Sequence, residues 1–227
     1  MPTQARIRFS ASLLAMSSVL FAAFPLLRPY FALDPLQPEA TLAAAAPAIT
    51  AASWTLAHAL ATAGFALLLC ALPALYDQLA ASDAEPLAWR ALVCCLAGIA
   101  LVMPTLGVEM YAMPAIGRVY GNGATEVAPI IRYIYIGPTT AVMLIGLALL
   151  AVGAMMFAAA LWRTRPSARW AAVTWAVGLA LWLPLLPPPV RIADGLAIAI
   201  GGAWLARNMW RRDAARDLAV RARHALP

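Results

Sequence analysis

"LVMPTLGVEMYAMPAIGR", Leu101–Arg118, decides the fold class. It continues an apolar block that begins at Trp89, and it holds one carboxylate, Glu109, among residues suited to lipid. A block of this length and composition is a membrane-spanning helix. A charge inside such a helix is costly and usually faces protein or water.

The rest of the chain agrees with that reading. Its 227 residues are 64% hydrophobic and 11% charged. A soluble domain carries about 25% charged residues, so this chain lacks the polar surface to dissolve. Six segments are long and apolar enough to span: 10–27, 54–76, 89–113, 133–162, 170–186 and 192–210. The expected fold is therefore all-α, a polytopic integral membrane protein with six transmembrane helices in one bundle. Arg6 and Arg8 precede the first segment as they would in a signal peptide. No small-x-small cleavage site follows, so a retained helix is expected.

The net charge of +6 comes from arginines alone, placed at the ends of the apolar blocks. With a cytoplasmic N-terminus, the inner side holds Arg6, Arg8, Arg90, Arg163, Arg165, Arg169 and six arginines from Arg207 to Arg223. The outer side holds Arg28, Arg118, Arg132 and Arg191. This positive-inside bias places both termini in the cytoplasm and the protein in a bacterial plasma membrane. It also accounts for the basic charge without nucleic acid. The tail, 211–227, is expected to be a basic helix on anionic lipid. The inner loops are too short for a soluble module, so one domain, 1–227, is expected. The long first outer loop is expected to hold an interfacial helix. The apolar run after Pro129 is too long for one span, so a break is expected at Pro129 or Pro138.

Glu109 has one candidate partner at its own depth. His58 lies 18 residues from Tyr76, and Glu109 lies 19 from Arg90, across the short inner loop. At the fixed rise of a helix these counts bring the two to one level on antiparallel neighbours. Thr62 follows His58 by four and Thr105 precedes Glu109 by four, which puts both hydroxyls on the same helical faces. Tyr111, Arg132 and Asp194 complete a candidate rim at the outer end. If the helix ends near Pro114, Glu109 sits about 7 Å below its outer end.

Other chemistries find less support. Zinc needs three or four ligands, and only His58 and Glu109 share a depth, so no metal site is expected. His224 falls in the tail, so two histidines cannot hold a haem. Cys70, Cys94 and Cys95 lie in apolar blocks without a C-x-x-C pattern and read as small hydrophobes. No recognisable nucleophile occurs, so no catalytic residue and no cofactor is assigned. The leading expectation is an outward-facing binding or transport protein for a small molecule or ion, using the Glu109/His58 pair. A non-catalytic membrane subunit that stabilises a partner protein is the alternative. A membrane-embedded enzyme with His58 and Glu109 as base and acid comes last.

Overall fold

A computed structural model describes residues 2–31, 34, 36–183 and 186–224. Among these residues the chain is helical and contains no strand. The helices are α1 (Pro2–Leu27), α2 (Pro38–Ile49), α3 (Ala52–Asp77), α4 (Glu85–Gly107), α5 (Met113–Gly121), α6 (Ile130–Ile136), α7 (Pro138–Thr164), α8 (Arg169–Leu181) and α9 (Pro188–His224). A π-helical turn, Val108–Ala112, joins α4 to α5 without a break.

Five helical stretches are long and apolar enough to cross a membrane: Ala5–Leu27, Ala52–Asp77, Glu85–Gly121, Thr125–Thr164 and Pro188–Arg211. The expected fifth span, 170–186, is shorter than the sequence suggested. Helix α8 has 13 residues, which gives about 20 Å against a hydrocarbon core of about 30 Å. Proline explains the early stop. Pro184 has no N–H to give the preceding turn and disfavours helix at Leu183, and three more prolines stand at 187–189. Pro184 and Leu185, the end of the expected span, lie outside the described residues.

Three other boundaries bear on the site. The third apolar block does not end near Pro114; it runs on to Gly121, so Glu109 lies a dozen residues before the helix end rather than five. The run after Pro129 breaks at Gly137–Pro138, where Gly137 is extended. The first outer loop contains α2. In the tail, α9 continues to His224, but side chains beyond Arg211 and residues 225–227 lie outside the described residues, and with them the expected lipid contacts.

The long helices form a closed ring. Helix α1 packs on α3, α3 on α4, α4 on α7, α7 on α8, α8 on α9, and α9 on α1. Short α8 is thus a full member of the bundle. Small residues let the backbones approach. A Cβ at Gly98 on α4 would stand 2.6 Å from the Gly146 carbonyl oxygen and the Leu150 nitrogen of α7. Between α1 and α3, the Ser17 hydroxyl donates to the Gly64 carbonyl at 2.8 Å. Phe21, Phe65, Phe157 and Trp175 fill the ring's interior.

One end of the ring is capped. Helices α2, α5 and α6 share a second apolar cluster, with Leu42, Ile49, Met113, Ala128 and Ile131 packed round Trp54 of α3. At the opposite end Arg6 pairs with Asp77 at 2.5 Å, Tyr76 donates to Glu85 at 2.8 Å, and Arg165 donates to the Gln78 carbonyl.

The α4–α7 seam sets a test. Gly98→Ala forces a methyl into backbone that cannot move aside, and overpacking of this kind costs about 1–3 kcal/mol. Gly121→Ala, where a Cβ meets nothing within 4 Å, leaves stability unchanged or slightly raised. Thermal unfolding in detergent compares the two. Equal unfolding temperatures for both variants would contradict the close seam.

Candidate functional site

The site begins with a missing hydrogen. Pro114 has no N–H, and a proline ring crowds the carbonyl four residues earlier, here that of Met110. The helix widens into the π turn just before it, and the Met113 N–H bonds to the Val108 carbonyl. The Glu109 carbonyl thereby loses its α-helical donor, Met113. Its π-helical donor would be residue 114, the proline. A buried carbonyl must find another partner, and the indole Nε1–H of Trp54 donates to it at 2.7 Å.

Trp54 sits on the buried face of α3 with Ala57, His58, Ala61, Phe65 and Leu68, at the three-and-four spacing of a helix packed on one side. His58 is one turn further on. Its ring lies 4.5 Å from that of Trp54, centroid to centroid, and its Nδ1 is 2.8 Å from the Trp54 carbonyl oxygen. A carbonyl can only accept, so Nδ1 carries the hydrogen. The other nitrogen, Nε2, faces Glu109 and lies 3.9 Å from its Oε2.

The two carboxylate oxygens differ. Oε1 accepts the Tyr135 hydroxyl from α6 at 2.8 Å. Oε2 is buried and has no hydrogen-bond partner among the described residues. With Nδ1 protonated, a neutral His58 offers a lone pair at Nε2 towards an oxygen that also offers lone pairs. Two acceptors 3.9 Å apart with no hydrogen between them repel. The pair is satisfied by one added proton on either partner, or by a water that donates to both.

A cavity adjoins these groups, between the ring and its cap. Phe24, Arg28, His58, Thr105, Glu109 and Tyr135 line it together with Trp182, which caps α8. It has about 30 Å³ of room for water, enough for one or two molecules at roughly 10–15 Å³ each. The Arg28 guanidinium lies 4.6 Å from the Trp54 ring centroid, a cation–π contact. Trp54 therefore holds Glu109 through its N–H, His58 through its carbonyl and Arg28 through its ring.

Three of the sequence-derived candidates, Glu109, His58 and Thr105, line the cavity together. Thr62 turns its hydroxyl to the His58 carbonyl of its own helix, 2.8 Å away. Tyr111 is 69% exposed, and Arg132 on α6 is exposed. Asp194 is buried in an adjoining recess with Arg191, with Phe24 and Trp182 standing in the walls of both spaces. The sequence puts Arg28 and Tyr135 at the outer level with Glu109 but does not select them for the site; Trp54 it misses, although that residue stands four before His58. Among the described residues no three His, Cys, Asp or Glu side chains converge. Cys95 is buried beside Gly153, whereas Cys70 is exposed.

No protein-family model, no curated protein and no solved structure matches this chain.

Trp54→Phe keeps most of the ring and removes the indole N–H. It leaves the Glu109 carbonyl buried without a donor, a loss of about 1–3 kcal/mol. Unfolding of the variant in detergent measures it. Stability equal to wild type would show that the carbonyl is satisfied otherwise.

Proposed function

We propose that this chain is a six-span protein of a bacterial plasma membrane with both termini cytoplasmic. It takes up a proton at Glu109 and His58 and serves as an outward-facing binding or transport protein for an ion or small molecule. The observation that carries this reading is the 3.9 Å approach of Glu109 Oε2 to His58 Nε2 beside a small, mostly apolar cavity, with His58 Nδ1 already committed to a carbonyl. Such a pair holds a place for one proton.

Several features support it. The outside of the ring exposes Val19, Ile145, Val152 and Ile200, which suit acyl chains and not water. Arginine placement puts the capped end outside. An ionisable group inside a membrane helix is a functional candidate by default. The π turn at Glu109 agrees, since such turns recur at functional sites. With room for one or two waters, the site holds a proton, a water or a small ion. A larger ligand would have to part the cap from the ring.

Infrared difference spectroscopy on the purified protein tests the reading. Acidification should bring up the C=O band of a protonated, buried carboxyl group in wild type, and Glu109→Gln should abolish that band while the protein stays folded. A band that persists in the variant contradicts the proposal, as does a wild type that shows neither this band nor the bands of an imidazolium at any pH that leaves the protein folded.

A further inference from the structure

The second buried cation, Arg191, belongs to no part of the proton site. It stands in the first turns of α9, 2% exposed, and lines a tight recess with Phe24, Pro25, Trp182, Leu183 and Asp194. Its guanidinium lies 5.6 Å from the Tyr30 ring centroid. Two of its nitrogens, Nε and Nη1, are buried and have no hydrogen-bond partner among the described residues. Asp194, one turn along the same helix, does not come within the 4.0 Å of an ion pair with it.

A buried guanidinium with unused N–H groups is an expensive arrangement unless something accepts from them. The surroundings favour an anion. The positive end of the α9 dipole lies at the same place, and Arg28 lies on the far side of Phe24 and Trp182. Asp194 offsets this charge without bonding to the free N–H groups. We infer that Arg191 is the centre of an anion site that takes a small free anion, such as a short carboxylate or an inorganic oxyanion, as acceptor for its Nε–H and Nη1–H. The recess as it stands has no free room for even a water-sized molecule, so an anion enters only if a wall residue such as Trp182 shifts. That residue lies just beyond the end of α8, outside regular helix, and its ring packs against Phe21, Phe24 and Phe65, which must yield with it. Burial of Arg191 inside the ring favours an anion from solution over the phosphate of a lipid headgroup. The inference is independent of the proton site: Arg191 can bind an anion whether or not Glu109 and His58 share a proton.

Calorimetric titration of the full chain in lipid-free detergent tests it, with formate as probe and gluconate, too large for the recess, holding the ionic strength constant. Wild type should bind formate saturably. Arg191→Gln should weaken binding about tenfold or more, because the charged donor is gone. Asp194→Asn should tighten it, because a nearby negative charge is removed. This variant keeps the test decisive if Arg191→Gln does not fold. If Asp194 is instead the partner of Arg191, Asp194→Asn loses stability and gains no affinity, which overturns the inference. Absence of formate binding in wild type also overturns it. So does stabilisation by phosphatidylglycerol in the absence of any response to formate.

Discussion

Pro114 cannot donate a hydrogen bond, and the geometry of the site is a consequence of that fact. Inside an apolar bundle, water is not there to satisfy a stranded carbonyl. The chain's answer is a π turn that carries Glu109, and an indole from another helix that bonds to the Glu109 carbonyl. Once Trp54 is fixed to that carbonyl, its own carbonyl takes the hydrogen on His58 Nδ1. His58 can then present only Nε2 to the Glu109 carboxyl group. Backbone accounting thus determines which nitrogen faces the acid.

The cap gives this arrangement its second function-bearing feature. A ring of helices alone would leave its end open. Helices α2, α5 and α6 close it with their own apolar cluster, and the polar groups lie at the seam between the two clusters. Tyr135 reaches Glu109 from the cap, whereas His58 reaches it from the ring. A movement of the cap would therefore act directly on the hydrogen bonding of the acid. At this seam polar groups, a cavity and two apolar clusters meet.

Much of this was legible in the sequence, for reasons that differ by residue. The apolar blocks declare the helices. Helix rise is fixed, so counting residues from the short inner loop was enough to bring Glu109 and His58 to one depth. Outer level alone put Tyr111 in the rim; two residues beyond Glu109, a helix turns it about 200° away, and its side chain is exposed. Thr62 shares the face of His58, but its hydroxyl is spent on its own helix, as Ser and Thr hydroxyls often are. Hydropathy extended the fifth span through Leu186, where the prolines already argued for an earlier end. Arg28 lies just past the end of α1, and Tyr135 lies in short α6, set off from α7 by the break at Gly137, so no spacing from Glu109 or His58 predicts which way either side chain turns. Their place depends on tertiary packing alone.

The central claim is that His58 keeps its hydrogen on Nδ1 and turns Nε2 to Glu109. Nitrogen-15 NMR of histidine-labelled protein tests it most directly, with His224→Gln removing the only other histidine signal. The account predicts a protonated Nδ1 throughout the titration, and an Nε2 that alone responds to pH and whose response changes in Glu109→Gln. A neutral ring with its hydrogen on Nε2 and a bare Nδ1 would contradict it.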